Sequence, residues 1–276
     1  MKTALFFILV LSTLSIHAQT NTDWQKQGLK GKVKTLNTNW NYRYMADGKS
    51  FTPWAAEDGS IIFYSATGQQ LTVQYFKKGT VLSSTSKYSY KPATHEYDVK
   101  GYWPDGRVIS GTHYKTDLRG NILEETYLDS AGKPGRIYKY TYDDRGHMLD
   151  YTGYNADGKL TSKTTYTNNA AGKKTGEKRE TPGYATSYET YGYDTKGNVS
   201  VDTRPGTAGL HSFRFERTYD DKNNITRELK YIDSSPKPSI STWSYEYDSH
   251  GNWVKQTEYS DEGEPFSIYE RTIVYN

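Results

Sequence analysis

The chain contains no cysteine. A disulfide framework, a thiolate metal site and a thiol nucleophile are therefore excluded, as is an acylated cysteine holding the protein to a lipid leaflet. Aliphatic residues are also scarce: of the 258 residues after position 18, only 36 are Leu, Ile, Val or Phe, a content that by itself belongs to disordered chains. Charge of one sign is missing too, since 35 Lys and Arg stand against 32 Asp and Glu. No basic footprint for a phosphate backbone exists, and nucleic acid is not an expected partner. Basic and acidic residues alternate locally, the pattern of a solvated sheet face.

Only one long apolar run is present, Ala4 to Leu14, preceded by Lys2 and followed by Ser15-Ile16-His17-Ala18. These are the three regions of a secretory signal peptide, so residues 1–18 are expected to be removed on export. The run is too short for a membrane span. With no cysteine to acylate, the expected location is exported, periplasmic or extracellular, and not lipid-anchored. No linker, composition shift or helical period follows. The expected organisation is a lead-in strand within 19–40, read from Gly28 to Leu36, and a single domain over 41–276.

What the chain has in abundance is tyrosine, 27 in all, and they recur in phase. Turn residues stand at Gly68, Thr94, Gly120, Gly146, Gly172, Gly197, Asn223 and Gly251, about 26 residues apart. Four residues before them stand Tyr64, Tyr90, Thr116, Tyr142, Asn168, Tyr193, Tyr219 and Tyr247, and six before stand Ile62, Tyr88, Tyr114, Tyr140, Tyr166, Tyr191, Arg217 and Tyr245. A spacing of two puts both sets on one face of a strand, with Lys139, Thr141, Thr190 and Glu246 on the other. A second strand follows each marker and ends on another polar turn, such as Asn155 to Lys159 or Asp261 to Glu264. Each repeat is thus a β-hairpin. Tyrosine takes leucine's place as the residue of the inner face, because its ring buries apolar area while its hydroxyl keeps a polar partner.

Tyr140-Thr141-Tyr142-Asp143-Asp144-Arg145-Gly146, Tyr191 to Asn198 and Tyr245 to Asn252 resemble the YD repeat of the rearrangement-hot-spot (RHS) family, over roughly residues 40–276. That resemblance implies a long antiparallel sheet spiralling into a shell that encloses a toxin or serves surface recognition. The period here is longer than is usual for that family. The expected fold is all-β: a repetitive antiparallel hairpin meander of 16 to 18 strands, coiling into a spiral or solenoid-like sheet with tyrosines inward. An outer-membrane barrel is not expected, because stretches such as Lys173 to Glu180 offer no lipid-facing apolar stripe.

No nucleophile elbow, phosphate loop or zinc-protease motif occurs, and the turn aspartates Asp143, Asp194, Asp220 and Asp248 read as side chains closing their own turns rather than as calcium ligands. The histidines show no metal-ligand spacing. No cofactor, metal or catalytic residue is expected. Aromatics that border turns are the candidates for ligand binding: Trp103 with Tyr102, and Trp54 in the irregular Phe51-Thr52-Pro53-Trp54 stretch. Trp103→Ala is expected to weaken ligand binding and leave the unfolding midpoint in place; a cooperative loss of stability would make Trp103 a core residue instead. The expected function is a non-enzymatic exported scaffold that binds an envelope polysaccharide or a secreted protein. Two other classes remain open: an accessory or immunity component of an RHS-type interbacterial toxin system, which the resemblance implies, and a glycan-acting enzyme with facing carboxylates inside the coil.

Overall fold

The computed structural model describes residues 22–42, 55–78, 80–206 and 211–276. The signal segment 1–18 and Trp54 lie outside them. The first strands are β1 Val33–Tyr42, β2 Ala55–Tyr64, β3 Gln70–Lys77, β4 Val81–Lys91, β5 Glu96–Tyr102 and β6 Val108–Thr116. Next come β7 Ile122–Leu128, β8 Pro134–Tyr142, β9 Met148–Tyr154, β10 Leu160–Asn168, β11 Lys174–Glu180 and β12 Ser187–Tyr193. The last six are β13 Val199–Arg204, β14 Phe213–Tyr219, β15 Ile225–Ile232, β16 Ser239–Tyr247, β17 Trp253–Tyr259 and β18 Pro265–Tyr275. A single helical turn, α1 (Asp23–Lys26), precedes them.

Each strand pairs antiparallel with the next, and β1 pairs with both β2 and β18. The sheet therefore closes: it is an 18-stranded barrel, and the expectation of an open spiral or solenoid is corrected. Closure follows from the last strand's pattern. Tyr269, Arg271 and Ile273 on β18 fall opposite Trp40, Thr38 and Leu36 on β1, so the inward phase continues across the seam, and closure removes the edges that a spiral would expose. Eighteen strands about 4.8 Å apart and tilted by about 40° make a circular section roughly 35 Å across at the backbone, wide enough for a water-filled lumen.

Turns alternate between two ends. At one end every hairpin except β4–β5 is closed by a three-residue loop: in β8–β9, Asp143 N–H donates to the His147 carbonyl (2.9 Å) and Gly146 N–H to the Asp143 carbonyl (2.9 Å), with Gly146 at φ 89°. This is a type I turn followed by a left-handed residue. The Asp143 carboxylate accepts from the backbone N–H groups of Arg145 and His147, the local bond expected of the turn aspartates. Just inside the turn the ladder tyrosine reaches sideways: Tyr142 Oη donates to the Ile122 carbonyl (2.8 Å) and Tyr219 Oη to the Val199 carbonyl (2.6 Å). Asn168 Nδ2 does the same to Met148 (3.0 Å), which explains why an amide can stand in the tyrosine phase.

Neighbouring turns touch. A Cβ placed on Gly172 (φ 77°) would lie 1.9 Å from His147 Nε2. Gly172→Ala is therefore expected to destabilise the barrel by about 2 to 3 kcal/mol, part from left-handed backbone strain and part from displacing the imidazole. In a His147→Ala background the same change should cost only about 1 kcal/mol. Urea melts of the four proteins check this, and equal costs in both backgrounds would remove the contact from the account.

The strand expected from Gly28 begins at Val33. Before it, Thr22 and Gln25 form a reciprocal capping box, which nucleates a helical turn. It carries Trp24 over the barrel end, where Trp24, Leu29, Val33, Leu36 and Tyr64 form the buried apolar cluster. Trp24 meets Tyr64 edge-on at 6.2 Å, and Asp23 accepts from Tyr90 Oη (2.9 Å) and Gln70 N–H (2.7 Å). The segment floors the lumen at this end beside β1, β2 and β18. At the far end the inward-facing Tyr75 and Tyr127 are 37% and 42% exposed, so the wall becomes wetter towards that mouth.

Candidate functional site

The lumen wall is the candidate site, and cross-strand register assigns its residues. The sector from β3 to β9 is aromatic. Tyr90 stacks on Tyr97 (5.5 Å) and Tyr97 on Tyr114 (4.4 Å, 8° between planes); Tyr127 meets Tyr138 at 5.9 Å and Tyr140 meets Tyr151 at 5.7 Å. Tyr140 Oη donates to Glu125 (2.7 Å), while its sequence neighbour Glu124 faces outward and pairs with Lys115 (2.9 Å). Burial raises the hydroxyl pKa of Tyr90, Tyr97, Tyr114, Tyr127 and Tyr140, and that of Tyr142, on the same wall, to about 12.

From β11 to β15 the wall turns ionic. Glu177 accepts from Arg179 Nη2 (2.6 Å) and Lys174 Nζ (3.1 Å), and Tyr191 Oη bonds Glu189. Arg204 bridges Glu189 (2.7 Å) and Asp202 (3.2 Å). Arg217 binds Glu228 (2.7 Å) and lies 3.7 Å from Asp202. Phe215 is held between the guanidinium groups of Arg204 and Arg217, 5.3 and 5.2 Å from its ring centre. Asp202 Oδ1 is buried with no partner. Near the mouth a cavity of about 290 Å³ opens against Arg179, Glu189, Arg204, His211 and Phe213.

A third sector, β16 to β1, carries Trp243, Trp253, Tyr269 and Trp40. Trp40 and Tyr269 lie 6.4 Å apart, and Tyr245 meets Trp253 at 6.4 Å. Glu258 lies beside Trp243 here; burial first, then the nearby Glu228 charge, raise its pKa to about 7 against the indole bond that lowers it. Below pH 4.5 both folded and unfolded chains hold this proton. Between 4.5 and 7 the unfolded chain releases it first, so stability falls as pH rises, and above 7 the deficit is constant. Glu258→Gln is expected to flatten that decline and to gain about 1 kcal/mol at pH 8, well below the unscreened figure because the group borders solvent. Parallel pH profiles for both proteins would undo this reading.

On β8, β9 and β10 the outer wall is polar, with Lys139, Thr141, Asp150, Thr152, Lys163 and Thr165 in the opposite phase. Of the residues proposed from sequence, Tyr102 lies on this outer side, with Lys87 Nζ 5.3 Å from its ring centre. Trp103 opens the β5–β6 turn, its N–H bonded to the Arg107 carbonyl (2.9 Å), and is 47% exposed. Sequence reasoning missed the ionic wall, although Arg217 stands in the tyrosine phase and signalled it.

No family model and no curated protein matches this chain. Among solved structures it is similar to a porin-like protein from Bacteroides uniformis ATCC 8492, at 14% identity and TM-score 0.48, over 89% of this chain and 99% of that one. A porin-like protein from Bacteroides vulgatus ATCC 8482 is similar at 10% identity and TM-score 0.36, over 88% and 98%. The TcdB2-TccC3 structure is similar at 13% identity and TM-score 0.35, over 80% of this chain and 15% of that one.

Proposed function

We propose that the chain is an exported, non-enzymatic barrel that stands in water and binds an envelope polysaccharide along its lumen. The observation that carries this reading is the division of the inner wall into a tyrosine sector and a facing belt of paired charges. Sugar rings offer apolar C–H faces that lie on aromatic rings, and hydroxyls that exchange hydrogen bonds with carboxylates, guanidinium groups and phenols. A concave wall of this kind suits a chain that threads or enters it better than a folded protein, which needs a broad complementary surface.

The outer wall supports the aqueous placement. A membrane barrel carries an apolar band about 25 Å tall on its outside, whereas on β8, β9 and β10 lysine, threonine and aspartate occupy that phase. The closed ring of 18 strands favours a second reading, a pore, by strand number alone. Two measurements separate them. Titration of the processed protein with soluble polysaccharides and peptidoglycan fragments should give a saturable change in tryptophan fluorescence, and the protein should remain monodisperse without detergent. Absence of binding across the panel would sink the first reading; detergent-dependent solubility with conductance in planar bilayers would install the second.

A further inference from the structure

Arg271, in the third sector, differs from the inward arginines of the ionic wall. Arg179, Arg204 and Arg217 each hold a carboxylate, whereas among the described residues no carboxylate pairs with Arg271. Its guanidinium packs over Trp253, with the central carbon 3.3 Å from the ring centre, and its Nε is buried without a hydrogen-bond partner. The residue is mostly covered. It faces the lumen from β18, directly above the apolar floor formed by Leu36, Tyr64 and Ile273 and below the Trp40 and Tyr269 rings. Burial lowers its pKa to about 10, the response of a cation without a nearby anion.

A buried charge is ordinarily paired or neutralised, and an arginine remains charged. Stacking on an indole occupies the face of the guanidinium and leaves its edge, where two parallel N–H donors match the two oxygens of a planar oxyanion. Trp40 and Trp243 stand on the same sector, and an indole face is a surface on which a sugar ring stacks. We propose that Arg271 and Trp253 form an oxyanion subsite at the base of the lumen, and that the saccharide bound there is acidic, carrying a carboxylate, sulfate or phosphate group. This rests on the lumen reading above and names the substrate class within it.

The test compares oligogalacturonate with its methyl-esterified form, which has the same rings without the charge, by calorimetric titration of the processed protein. At least a tenfold preference for the acid is expected, and Arg271→Gln should abolish it. A sulfated glucan and a phosphorylated mannan, each against its neutral parent, distinguish the source of the oxyanion; a preference confined to one of them assigns that group to the subsite. Equal binding of charged and neutral members of every pair in the wild-type protein would overturn the subsite and leave the lumen reading standing. Binding of none of them would remove both. Should Arg271→Gln unfold, the wild-type comparison still decides, and Trp253→Leu supplies the second variant: it should cut the acid preference at least threefold, and an unchanged preference would count against the stack.

Discussion

Raising the pH from about 9 to about 12 is expected to unfold the barrel in one steep transition, with tyrosinate absorbance and loss of strand circular dichroism rising together. Seventeen tyrosines, from Tyr64 to Tyr275, have hydroxyl pKa values raised above 10.0, in each case mainly through burial. Near pH 9 both states hold these protons and stability is intact. Above pH 10 the unfolded chain releases them and the folded chain does not, so each ring lowers stability by up to about 1.4 kcal/mol per pH unit. Many of the rings border lumen water, and halving the figure for screening still leaves about 12 kcal/mol per pH unit in total. That matches the whole stability of an ordinary domain, about 5 to 15 kcal/mol. Tyrosines that titrate one by one near pH 10 in a folded barrel would show that the inner wall is wetter than described.

Trp24→Ala should have the largest effect of any single substitution, about 3 kcal/mol or more of lost stability. Trp24 is 7% exposed, and it packs in the buried cluster with Leu29, Val33, Leu36 and Tyr64, against which Ile62, Ile273 and Tyr275 lie. Gly68 lies beneath it so closely that a Cβ there would sit 2.8 Å from the indole, and, lacking a side chain, it cannot refill the void. Urea unfolding followed by circular dichroism measures the loss. A change below about 1 kcal/mol would mean that the lead-in merely rests on the barrel, since truncating a buried tryptophan ordinarily costs several times that.

How much of this could be read beforehand depended on the range of the interaction responsible. The markers Gly68, Gly120, Gly146 and Gly251 all take the left-handed conformation, and Tyr140 falls opposite Tyr151 inside the wall, because turn chemistry and a period of two are local. Thr94 was one residue off: the left-handed residue of that link is His95, after a short 3-10 turn opened by Pro92. The capping box at Thr22 and Gln25 was present in the sequence but is overshadowed by the glycines on either side of Leu29. Closure was not legible, because it depends on β1 and β18 sharing a phase across nearly the whole chain. The ionic wall escaped for a related reason. Glu177, Glu189 and Asp202 lie on three different strands, and only the register of the folded sheet brings them around Tyr191 and Arg204. Arg271 was hidden further, since the feature that distinguishes it is a missing neighbour.

The seam carries a consequence for the order of events during synthesis. Leu36 pairs with Ile273, and the Asn276 N–H bonds the Lys32 carbonyl, so the first strand waits for the last. Every intermediate that emerges before residue 265 is a curved ribbon with two unpaired edges, the form most prone to joining another copy. Closing so distant a pair is also slow. A chain of this design gains from being kept apart from its siblings until its final strand arrives, and its yield on refolding should fall with concentration far more sharply than its finished stability suggests.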